Sequence, residues 1–130
     1  MNIYGLKSQC QYAVLDLGDY GRFHIAPAEG STKFAKVTEE VSRPYRALIK
    51  HDALDENRAN QILAEIFARC VVVNWEGVVG EDNQPIPYSQ QKCKELLLEI
   101  PNLFTIIREF SRDTSNFRNV QADVGNSATS

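Results

Sequence analysis

Apolar positions recur at helical spacing in four stretches of the chain and at strand-like spacing near its start. Phe34, Val37, Val41, Tyr45 and Leu48 fall three and four apart, which predicts one helical stripe. Ser31 and Thr32 precede it and are good N-cap types. Pro44 interrupts the stripe, so a kink or two short helices meeting at Arg43 are expected. The clearest pattern follows: Ala59, Ile62, Leu63, Ile66, Phe67 and Cys70 share one face, with Arg58, Gln61, Glu65 and Arg69 opposite. Asp55 can cap this helix, and Glu56 complements its N-terminal dipole. Val71, Val72 and Val73 prolong the run with no polar side. That last turn is expected to be buried on several sides, by this chain or by a partner. Ser89 caps a third helix, with Cys93, Leu96, Leu97 and Ile100 facing in. Pro101 suits the first turn of a fourth, whose apolar side is Leu103, Phe104, Ile107 and Phe110, joined by Phe117.

The first thirty residues read differently. Val14, Leu15 and Leu17 precede a polar turn bracketed by Gly18 and Gly21; Phe23 and Ile25 follow it. This is a hairpin signature. An isolated hairpin is marginal in water, so it should pack on the helices or pair with another chain. Residues 74–88 hold two glycines, two prolines and an acidic turn, and predict a long irregular loop, functional or packed by its own side chains. Residues 119–130 are small and polar without periodicity and are expected to be a disordered tail. The fold class expected is mainly α: a small helical domain of about four to five helices with an N-terminal β-hairpin. One domain should cover residues 1–118, with the hairpin element in 1–28 and the helical part in 31–118.

Composition narrows the partners. The chain has 130 residues, 43% hydrophobic and 24% charged, with a net charge of -3 and no basic block. Nucleic acid is therefore a poor partner, and steering by charge is weak. Residues 66–75 form the longest apolar cluster, too short to span a bilayer and broken by Arg69, so no membrane partner is expected. No signal peptide is visible in the first eleven residues. Three cysteines, Cys10, Cys70 and Cys93, are widely spaced and fit a reducing cytoplasm, not a disulfide framework.

Candidate chemistry is sparse. His24 and His51 lack a metal-type neighbour at i+4 and a nucleophile motif; His24 alternates with Phe23 and Ile25 and reads as the polar face of a strand. Glu39 and Glu40, then Asp52, Asp55 and Glu56, then Glu81 and Asp82, read as solvated helix faces, caps and a turn. A glycosidase-like acid pair has nothing in its favour. Arg43, Arg46 and Lys50 align on one helix face, where they either grip an acidic partner or solvate the helix. Trp75 either anchors the long loop to the core or serves as an interface hot spot. No catalytic, cofactor-binding or metal-ligating residue is expected, and the chain is expected not to be an enzyme.

From Trp75 onward the order of residues resembles a pattern in the tail assembly chaperones of long-tailed, lambda-like siphophages. The elements are Trp75, Glu76, Gly77, Val78 and Val79, an acidic turn of Glu81, Asp82 and Asn83, and then Pro85, Ile86, Pro87, Tyr88 and Ser89. Leu96 and Leu97 through Pro101, Asn102, Leu103 and Phe104 resemble the ending of the helix that follows in that family. Residues 2–7, Arg43 to Arg46 and residues 115–117 also look similar. Asn83 departs from the glycine expected in the acidic turn, but asparagine tolerates the left-handed conformation. The resemblance implies a non-enzymatic, homo-oligomeric factor that binds the tape measure protein before tail tube polymerisation and helps recruit the major tail tube protein. It implies a place in the host cell cytoplasm and absence from the mature virion. The protein-binding residues expected are Val71, Val72, Val73, Trp75, Pro85, Ile86 and Tyr88. A structural tail or connector protein, a host-targeting adaptor and a small enzyme are the other readings.

Overall fold

The computed structural model describes residues 12–117. Strand β1 (Ala13–Asp16) and strand β2 (Arg22–Ile25) form the expected hairpin, joined by a 3-10 turn at Gly18–Tyr20. The turn closes through Leu17 N–H to Gly21 O at 2.9 Å, while the Asp16 carboxylate accepts from Gly18 N–H. Gly21 has φ of 104°, and a Cβ there would lie 2.8 Å from Glu76 O and 2.9 Å from Val78 Cγ2. Both the backbone conformation and the space restrict this position to glycine.

The structure corrects the reading of residues 71–76. The helix stops at Cys70, and Val72–Glu76 is a third strand, β3, paired antiparallel with β2 in the order β1-β2-β3. The expected all-round apolar helical turn and the irregular start of the loop are therefore sheet. Consecutive β-branched valines lose side-chain freedom in a helix and suit a pleated surface. The free edge of β2 supplies backbone partners that no local pattern reveals. Ala26 N–H to Val71 O at 2.7 Å continues the ladder beyond the strand. Asn74 pairs with His24 and Val72 with Ile25, so Val73 is the extra residue of a bulge. Without the bulge, Val72 and Trp75, three apart, would face opposite sides of the sheet. With it both face the core, 1% and 6% exposed, and Val73 is turned outward.

The helices follow the apolar stripes. They are α1 (Thr32–Ser42), α2 (Arg46–Lys50), α3 (Glu56–Cys70), α4 (Gln90–Glu99) and α5 (Pro101–Arg112). Pro44 lies in a 3-10 turn, Arg43–Tyr45, that separates α1 from α2, so two short helices form as expected. Ser31, Asp55 and Ser89 are N-caps whose side chains accept from the N–H groups of Phe34, Arg58 and Lys92. Each satisfies one donor that the helix leaves orphaned. Pro101 pushes Ile100 out of the helical region (φ -122°, ψ 84°), which turns α4 into α5 at a tight corner.

One core cluster joins the layers. Phe23, Ile25, Val72 and Trp75 present the inner face of the sheet. Ile66, Phe67 and Cys70 from α3, Cys93 and Leu97 from α4, and Phe104 and Ile107 from α5 cover it. Edge-to-face rings run from Phe34 to Phe67 (5.7 Å) and on to Phe104 (5.4 Å), tying α1, α3 and α5 together. Three expected core positions are corrected: Ala59, in the first turn of α3, is exposed, and so are Leu48 and Ile100. Leu48 (45% exposed) lies on α2, beyond the part of the stripe that reaches α3, and Ile100 (43% exposed) is turned outward at the corner before Pro101. The expected tail of 119–130, residues 2–7 and Cys10 lie outside the described residues.

Cys70 and Cys93 are free and buried, and act as small apolar side chains. Burial raises both thiols, Cys93 to about 12. The folded chain therefore holds these protons more tightly than the unfolded chain. That contribution to stability is complete below the ordinary thiol value of 9.0 and is lost as pH rises towards the folded value. In a Cys10→Ser background, both thiols are expected to resist an aromatic disulfide reagent at neutral pH and to react together on unfolding. Rapid labelling of either one in the native protein would contradict the packing described.

Candidate functional site

The segment after β3 is held in place by its own side chains. Trp75 Nε1–H donates to Ile86 O at 2.7 Å, and Tyr88 O–H donates to Val72 O at 2.7 Å. The Tyr88 ring stands edge-on to Trp75, with centroids 5.1 Å apart. Within the loop, Ile86 N–H donates to Val78 O, Val79 bridges Pro85, and Gly80 N–H donates to Gln84 O. Asn83 has φ of 60°, the left-handed conformation that asparagine tolerates. Residues 77–88 thus fold back on themselves against β3.

This arrangement divides the expected protein-binding residues. Val71, Val72 and Trp75 are buried in the core. Ile86 and Tyr88 are half-buried under the loop, and only Val73 and Pro85 are exposed. Trp75 is the loop's anchor, one of the two roles its position suggested.

The fold leaves an apolar groove that the sequence did not reveal. It lies between the hairpin turn, the loop and the α4–α5 corner, and encloses about 460 Å³. Phe23, Ile86 and Leu96 line it from the core side. Its outer wall is Tyr20, 81% exposed, with Val79, Ile100 and Ile106 at 41% to 47%. Asp19 and Asn102 are polar residues on its lining. Large side chains clustered at this exposure are characteristic of a surface that meets another molecule. Helical periodicity could not have found it, because its walls come from three segments far apart in sequence. The one available signal was Ile106, an apolar residue outside the inward stripe of Leu103, Phe104, Ile107 and Phe110.

Several charged groups elsewhere are paired on the surface. Glu76 accepts from Arg22 at 3.2 Å and lies 2.8 Å from His24 Nε2, on the outer face of the sheet. The His24 hydrogen bond and then the Arg22 charge lower the Glu76 carboxyl. Glu39 receives both Arg43 and Arg46, and the Arg43 hydrogen bond lowers it too. Two of the three aligned cations are thus partly neutralised by a carboxylate of α1. Glu65 is opposed by its own burial yet lowered by the hydrogen bonds of Arg69 and Lys94. Among the described residues, no group of three His, Cys, Asp or Glu is placed to share a metal ion, and no helix is long and apolar enough to cross a membrane.

These features define a small, mainly helical protein with a three-stranded sheet and an apolar surface groove. Residues 29–126 match the family described as YdaY prophage protein, and the chain belongs to that family. The match takes in every helix, β3 and the loop beyond it; the hairpin that supplies Tyr20 lies before it. No curated protein and no solved structure matches the chain.

Proposed function

We propose that this prophage protein is a non-enzymatic tail assembly chaperone that shields an apolar helical stripe of the tape measure protein before the tail tube polymerises. The observation that carries the reading is the groove walled by Tyr20, Val79, Ile100 and Ile106. A tape measure protein is long and helical, and before assembly it exposes apolar stripes. An amphipathic helix can lay its apolar face in such a groove, with anchors at i, i+3 or i+4. Many copies along one client gain by avidity, so each contact can remain weak enough to be displaced. The resemblance of residues 75–104 to tail assembly chaperones supports the reading, and the prophage family supports a phage-related role. The role places the protein in the host cytoplasm, in contact with the tape measure protein and the tail tube subunit, and outside the finished virion.

The test is co-expression with the tape measure protein of the same prophage. The expected result is that the two co-purify, that the tape measure protein is soluble only with this chain present, and that mature particles lack it. Failure to co-purify would overturn the client. Stoichiometric presence in purified virions would make the chain a structural tail component instead.

A further inference from the structure

We infer that, before a client arrives, the groove of one copy is filled by the α2 tip of a second copy in a head-to-tail contact. The inference rests on the groove being the client site and adds what covers it in the free protein. α2 buries none of its residues, and it packs on the 3-10 turn before it. Leu48 and Ile49 stand side by side on it, 45% and 46% exposed. They form an apolar knob on a basic arm. The knob and the groove share no residue, so one molecule carries both halves of a contact.

Charge selects this occupant. Residues 32–50 hold five Lys or Arg against two Glu, whereas residues 76–99 hold five Asp or Glu against two Lys. Asp19 lies on the groove lining itself, and Glu99 immediately precedes Ile100 of its outer wall. A basic apolar tip therefore meets an acidic-rimmed apolar groove, and complementary potentials favour that pairing over tip-to-tip or groove-to-groove contacts. Such a contact is heterologous. It leaves a free tip at one end and a free groove at the other, so copies add on until a ring closes or a client takes the groove. The tip is then a stand-in for the client, whose bound segment should likewise set aliphatic residues beside basic ones.

Sedimentation velocity of the purified full chain tests this. The expected wild-type result is a mass that rises with concentration and falls with added salt. Leu48→Asp combined with Ile49→Asp should weaken association by at least about tenfold, as should Ile100→Asp on the groove. Both variants alter exposed side chains, and circular dichroism checks that they fold; Lys50→Glu is a milder variant expected to shift the same equilibrium. Mixing the tip variant with the groove variant should restore a heterodimer and nothing larger, because only one intact knob and one intact groove remain. A monomeric wild type, a tip variant with unchanged mass, or a mixture that does not associate would each overturn the inference. The tip variant should still capture the tape measure protein. If it does so while its mass is unchanged from wild type, the head-to-tail contact falls and the chaperone role stands; if the wild type self-associates through tip and groove but neither it nor the tip variant captures the client, the reverse holds.

Discussion

Replacing Trp75 by alanine is expected to destabilise the fold by about 3–5 kcal/mol, the range for removing a large buried aromatic side chain. Three contacts are lost together. The indole packs edge-to-face on Phe23 at 6.0 Å and on Tyr88 at 5.1 Å, and its N–H holds the Ile86 carbonyl. The first contact joins β3 to β2; the other two fasten the loop to the sheet. Trp75→Phe should separate these parts, keeping most of the ring contact but leaving Ile86 O without its donor, at a smaller cost of about 1–3 kcal/mol. Urea unfolding followed by circular dichroism measures both variants. An alanine variant within about 1 kcal/mol of wild type would mean that the loop is not anchored through the indole.

Val79→Asp combined with Ile106→Asp is expected to reduce affinity for the tape measure protein by about a hundredfold or more, since truncating one hot-spot side chain alone costs about 2 kcal/mol. The two residues line the groove, one from the loop and one from α5, and each substitution places a charge where an apolar stripe must seat. Both side chains are more than two-fifths exposed, so the unfolding midpoint should stay close to wild type. Titration of a tape measure fragment by calorimetry, with a urea curve for each variant, distinguishes loss of binding from loss of fold. Undiminished binding by the folded double variant would move the client surface away from the groove. Val72→Asp cannot serve the same purpose, because Val72 is 1% exposed and a charge there attacks the core.

The local elements were legible because their causes are local. Ser31, Asp55 and Ser89 cap helices through donors three residues on, and Pro44 and Pro101 act on the turns that contain them. The hairpin could be read from Gly18 and Gly21 and from the inward alternation of Phe23 and Ile25. The polar placement of His24 followed from the same alternation, although its partner Glu76 lies 52 residues away and left no trace in the pattern. The run of three valines was misread for a related reason. Its helical continuation and its strand look alike as an apolar run, and the deciding factor is the open edge of β2.

Taken alone, the sequence determined the helices, their caps, the N-terminal hairpin and an apolar content sufficient for one core, since each depends on spacings within a turn or two of chain. The tertiary structure decided that Val72–Glu76 completes a sheet, that a bulge at Val73 keeps both Val72 and Trp75 inside, and that Val71, Val72 and Trp75 support a surface without forming it. It also decided which apolar residues stay outside. Leu48 and Ile100 belong to helical stripes and would be assigned to the core by periodicity, but a stripe says only that one face is apolar. Whether anything in the same chain reaches that face depends on contacts between distant segments, and among the described residues these two are left more than two-fifths exposed.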